Sequence, residues 1–150
     1  MGARTPFKLS KRLVEQAPQE MEVGIHYNYG VLDTPDGLAN QKAQIDSILP
    51  KPCTSGRAHY LKFDAEVDFP KLIEVGVAVD ESVGWPYQNS YYCGIAGPFA
   101  PICATTGEAL PILELPMTFM DHDLPREDGT PSCFSAMLEH ISQVGGCLSV

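Results

Sequence analysis

GRAHYLKFDAEVDFPKLIEVGVAVD (56–80) is the stretch that decides the fold. Gly56 to Phe63 reads as a strand. Asp68 is placed to cap a short helix with Pro70 in its first turn, and Phe69 and Leu72, with Ile73, supply an inward face. Gly76 stands where a helix C-terminal glycine belongs, and VAVD (77–80) reads as the next strand. Strand, helix and strand in so short a stretch make a crossover unit. Its right-handedness leaves the two strands parallel and adjacent.

The pattern extends in both directions. Upstream, 6–17 has helical spacing through Phe7, Leu9, Leu13, Val14 and Ala17 and stops at Pro18. MEVGIH (21–26) is extended, and Asp36 can cap a helix over 37–49 whose stripe is Leu38, Ile45, Ile48 and Leu49. Downstream, 81–109 is a long Gly/Pro/aromatic excursion with a short strand expected at Tyr91–Cys93. LPILELPMTFMD (110–121) is extended because Pro111 and Pro116 exclude a helix interior. Helix 132–144 carries Phe134, Met137, Leu138 and Ile141 at i, i+3, i+4 and i+7, Gly145 and Gly146 close it, and CLSV (147–150) starts another strand. The predicted class is α/β with a mostly parallel sheet in a single domain, 1–150.

With 150 residues the chain is the size of one ordinary domain, and 44% hydrophobic residues make it globular. A net charge of −9 argues against nucleic acid and anionic membrane as general partners, since phosphates are repelled. No run approaches the ~20 apolar residues of a membrane-spanning helix. Cys53, Cys93, Cys103, Cys133 and Cys147 include no C-x-x-C pair and read as reduced, small apolar residues. Their odd number and the lack of an apolar leader run favour the cytoplasm.

Parallel α/β sheets gather chemistry at the carboxyl ends of their strands. His26 ends the first strand, Arg57 and His59 lie on the second, Asp80 ends the third and Asp121 the fourth. His26 and His59 are one strand–helix–strand unit apart, so topology brings them to one rim. Two imidazoles and two carboxylates there suit a divalent metal that polarises a carbonyl. Taken singly, Asp80 and Asp121 read as turn or cap residues, and Arg57 as a surface charge or a partner of Asp64 or Asp80. The aromatic cluster around Trp85, Tyr87 and Tyr92 can stack on sugar rings or cover the sheet.

MEVGIHYNYG (21–30), SGRAHYLKFD (55–64), VAVDESVGW (77–85), YCGIAGPFAP (92–101) and LPILELPMTFMDHDL (110–124) follow one another in a family order. They resemble the C-terminal two-thirds of a polysaccharide deacetylase of the NodB-homology type. The nearest subgroup reads GIHPSY, SRQHYLRF, D-S-x-G and FRAGT-x-PF…PL…MD-x-TL, and GRAHYLKFD is the most specific match.

The resemblance implies a deformed (β/α) barrel with a divalent metal, commonly zinc, held by an Asp and two His. It implies a hydrolase that removes N- or O-acetyl groups from polysaccharide sugars. His26 matches the first metal histidine; the family's second falls at Gly30, and His59 is the candidate for the lost ligand. Arg57 falls where the family fixes its catalytic carboxylate, Asp80 follows the next active-site strand, and Asp121 keeps the Asp of MD-x-TL.

Departures are also present. The family's Thr-Phe-Asp-Asp motif and its late histidine have no counterpart, and Cys93 replaces an arginine. The resemblance therefore implies a partial domain, inactive in isolation, whose open sheet edge promotes self-association. The competing readings are a degenerate carbohydrate-binding domain and another (β/α)-barrel hydrolase with a rim metal.

Overall fold

A computed structural model describes residues 7–18, 20–120 and 132–150. Its α-helices are α1 (Phe7–Gln16), α2 (Gly37–Asp46), α3 (Ala65–Glu74) and α4 (Ser132–Val144). Its strands are β1 (Ile25–Tyr27), β2 (Ser55–Ala58), β3 (Val79–Asp80) and β4 (Leu113–Glu114). The four strands form one sheet in the order β1-β2-β3-β4, and every pairing is parallel. Helices α2 and α3 make the first two crossovers, so the α/β class and the parallel sheet stand as expected. No described helix is long and apolar enough to cross a membrane.

The central unit is built by local chemistry. The Asp64 side chain accepts the Glu66 N–H at 3.1 Å and caps α3 one turn before the expected position. Asp68, expected as the cap, lies buried inside the helix. Its Oδ2 reaches back to the Asp64 N–H at 2.9 Å, and its Oδ1 accepts from Lys71 Nζ at 2.6 Å. Pro70 consequently sits within the helix instead of in its first turn. At the other end, the Gly76 N–H bonds Ile73 O at 3.0 Å and the Val77 N–H bonds Leu72 O at 2.9 Å. This six-residue closure needs a left-handed residue, and Gly76 supplies it at φ 81°.

Other expectations shift in position. The strand expected over 56–63 stops at Ala58, and His59–Leu61 turns as a 3-10 segment with Tyr60 at φ 57° and Leu61 at φ 51°. Asp36 precedes α2 in a left-handed conformation without a side-chain capping bond, and α2 ends at Asp46. Tyr91–Cys93 is not a strand; a 3-10 turn occupies Tyr92–Gly94. Segment 147–150 forms no assigned strand, yet Ser149 O accepts the Thr118 and Phe119 N–H groups at 3.1 and 3.2 Å. Cys53, Cys93, Cys103 and Cys147 are free, and Cys53 packs as a small apolar residue in the core.

Strand alternation divides the sheet into two faces. Ile25, Tyr27 and Ala58 turn toward the helices and join Leu32, Leu38, Phe69, Leu72, Val77 and Ile112 in the core. A buried Phe or Leu here contributes roughly 2–3 kcal/mol of apolar transfer. The opposite face carries His26 and Arg57, which are cross-strand partners in register. Arg57 on β2 also reaches Ser149 and Val150, which lie beside the chain that continues past β4. Three strand spacings span about 14 Å on a flat sheet, farther than one arginine reaches. The sheet therefore curls around the His26/Arg57 face.

Candidate functional site

His26 and His59 meet. Nε2 of His26 lies 2.8 Å from Nδ1 of His59, with ring centroids 5.0 Å apart and planes at 87°. The parallel register sets this up: His26 pairs with Arg57, and His59 stands two residues beyond Arg57 on the same face. Gln41 on α2 clamps the strand end. Its Nε2 donates to His26 O at 2.8 Å, and its Oε1 accepts the Asn28 N–H at 3.0 Å. Partial burial, then the neighbouring His59 and Arg57, hold the His26 imidazole below its ordinary pKa. It is therefore neutral near pH 7, with one ring nitrogen free to act as a lone-pair donor.

Arg57 pairs with Glu81, not with Asp64 or Asp80. Its Nη2 donates to Glu81 Oε2 and to Ser149 Oγ at 2.8 Å, and its Nη1 donates to Val150 O at 2.7 Å. Ser149 Oγ in turn donates to Glu81 Oε2 at 3.0 Å. Glu81 follows Asp80 by one residue and so shares the face of Arg57.

Asp80 does not join the histidines. It lies on the helix-covered face, fully buried, where Tyr27 Oη donates to its Oδ1 at 3.0 Å. The Ser82 N–H and Oγ donate to it at 2.9 and 3.0 Å. Its cross-strand partner is Glu114, also fully buried. Glu114 Oε1 accepts the Val83 N–H at 2.9 Å, while no donor reaches Oε2. Burial first, then the adjacent Asp80 charge, pushes Glu114 up to about 10. Burial raises Asp80 as well, against the hydrogen bonds from Ser82 and Tyr27. Asp80 has three donors and Glu114 one, so Glu114 is the carboxyl of the pair that is more readily held protonated.

Asp121 lies outside the described residues. Trp85 stacks on Tyr92 with centroids 4.9 Å apart, and Tyr87 is 92% exposed. Gly84, which precedes Trp85, sits against the rim turn: a Cβ there would lie 3.4 Å from Leu61 Cδ1. Sequence reading missed Glu81, Ser149, Tyr29, Tyr60 and Glu114. Alternation counted from the His26–Arg57 pairing selects Glu81 over Asp80, and that signal was available once the register was known.

The fit to a metal is partial. Zn–N bonds of about 2.0–2.1 Å place two tetrahedral nitrogens roughly 3.3 Å apart, so a metal would replace the 2.8 Å hydrogen bond between the rings and require the proton in it to leave or move to the other ring nitrogen. Among the described residues no group of three or more His, Cys, Asp or Glu converges. The pair thus matches the nitrogen half of a zinc-type ligand set, without an oxygen ligand from the described residues. A cavity of about 460 Å³ lies on the helix side, lined by Leu38, Lys42, Asp46, Lys71 and Glu74 among others. None of the strand-end residues expected in the site lines it. No family model, curated protein or solved structure matches the chain.

Proposed function

We propose that this chain is the sheet wall of a deformed (β/α) barrel hydrolase that removes N- or O-acetyl groups from polysaccharide sugars. His26 and His59 would hold its divalent metal, zinc by ligand type. The observation that carries this reading is the 2.8 Å approach of two imidazole nitrogens at the carboxyl ends of adjacent parallel strands. The curl of the sheet around Arg57 supports the barrel, because a concave polar face is what a barrel mouth requires. A bound divalent metal supplies Lewis-acid polarisation of the acetyl carbonyl.

The chain's own residues do the rest. Gln41 fixes the backbone that carries His26, and the Arg57 charge helps keep that imidazole neutral. Glu81 and Ser149 hold the Arg57 guanidinium in place on the same face. Asp80 touches no substrate in this reading; through Tyr27 and Ser82 it fixes the strand ends beneath the rim.

A second reading, a non-catalytic glycan-binding domain, is favoured by one observation. The histidine pair lacks a carboxylate among the described residues, while Trp85, Tyr87 and Tyr92 offer exposed or stacked rings. Cobalt(II) absorption separates the two. The hydrolase reading expects an intense visible spectrum of a low-coordinate, nitrogen-ligated cobalt that His26→Ala and His59→Ala each abolish. A spectrum of hexaaquo cobalt from the wild type leaves only the binding domain.

A further inference from the structure

We infer that Tyr29 and Tyr60 form a carbohydrate-stacking corner beside the histidine pair, a binding site separate from the Trp85 cluster. The inference rests on the glycan part of the proposed function and extends it to residues with no role there. Both rings are large and apolar-faced yet lie open, 65% and 71% exposed. Their centroids are 6.3 Å apart with planes at 76°, so the two faces meet as a corner and not as a closed stack. A pyranose ring lies with its C–H face on one tyrosine and its edge toward the other, and both phenol hydroxyls remain available to sugar hydroxyls.

The position of each ring is enforced. Tyr60 sits on the His59 ring at 4.3 Å, which ties the corner to the histidines. It stands in the left-handed region at φ 57°, followed by Leu61 at φ 51°. Two consecutive bulky residues in that region are rare, and such outliers cluster at ligand clamps. Tyr29 is braced by Lys62, whose Nζ lies 4.9 Å from its ring centre and is itself held by Asp33. Between the tyrosine loop and His59 lies a small cleft of about 10 Å³, enough for about one water and too small for a sugar. The ligand is therefore bound on the rings, not beneath them.

The test is isothermal titration of the chain with chitotetraose and cellotetraose in the presence of EDTA, so that binding is read without a metal and without turnover. Wild type is expected to bind at least one of the two, and Tyr29→Ala and Tyr60→Ala each to weaken it about tenfold. Tyr60→Phe keeps the ring and is expected within about threefold of wild type. Because φ 57° suits glycine, Tyr60→Gly retains a cooperative melt while losing binding as Tyr60→Ala does, which separates ligand loss from unfolding. No binding of either sugar by wild type, or wild-type affinity in Tyr29→Ala and Tyr60→Gly, overturns the inference. A chain that binds sugar through these tyrosines but gives no histidine-ligated cobalt spectrum upholds the corner and discards the hydrolase.

Discussion

Asp80 on β3 and Glu114 on β4 are cross-strand partners, both fully buried, and burial pushes both carboxyls toward the protonated form. Two ionised carboxylates cannot occupy that space together, so folding takes up a proton at neutral pH. Glu114 ionises near its ordinary 4.5 when unfolded and only at about 10 when folded. Its contribution is complete below pH 4.5, declines as pH rises, and is lost through the folded value of about 10. Glu114→Gln keeps a donor toward Asp80 without titrating. Urea denaturation is expected to show this variant more stable than wild type by up to about 5 kcal/mol at pH 8, with the difference vanishing toward pH 4. Equal pH slopes in the two proteins would contradict a Glu114 held protonated by folding.

Arg57 ties Glu81 to the distant segment that carries Ser149 and Val150. A lysine supplies a point charge but no planar fork. Arg57→Lys is expected to lose about 1–2 kcal/mol. Hydrogen exchange locates the loss: the Thr118 and Phe119 amides, which donate to Ser149 O, should exchange faster while amides of α3 keep their protection. Uniform acceleration across both would mean that Arg57 serves general stability instead of holding segment 147–150.

Gly56 leaves room for Tyr27. A Cβ at Gly56 would lie 2.3 Å from Tyr27 Oη, and the ring has nowhere to go because Tyr27 is buried against Asp80. Gly56→Ala is expected to destabilise by about 1–3 kcal/mol through overpacking. Tyr27→Phe removes one donor from Asp80 and is expected to cost about 1–2 kcal/mol. In the double variant the two costs should not fully add, since both act on the same end of the Tyr27 ring, although Cζ and Cε1 at 2.5 and 2.6 Å keep part of the clash when the hydroxyl is removed. Thermal melts of the three proteins decide this, and full additivity would refute the coupling.

The crossover unit was legible because its signals are local. Gly76 terminates α3 as its position required, and the parallel order follows from strands alternating with helices. The cap was misplaced because Asp64 and Asp68 both suit the role, and only the reciprocal bond from Asp68 back to Asp64 resolves them. His26 and His59 were brought together by counting one crossover unit. Asp80 falls on the face opposite their rim, because it pairs with Gly56, and alternation without a register does not say which residue shares a face with Arg57. The Arg57–Ser149 contact spans 92 positions and depends on sheet curl, which no local pattern encodes. The left-handed pair Tyr60–Leu61 was invisible for a related reason: neither residue type announces that conformation.

Calorimetric titration with zinc reads the metal affinity of the histidine pair. One zinc per chain is expected, with affinity reduced about a hundredfold in His26→Ala and in His59→Ala, and circular dichroism spectra matching wild type. Zinc bound equally well by the double variant, or not at all by the wild type, would contradict a metal held by His26 and His59.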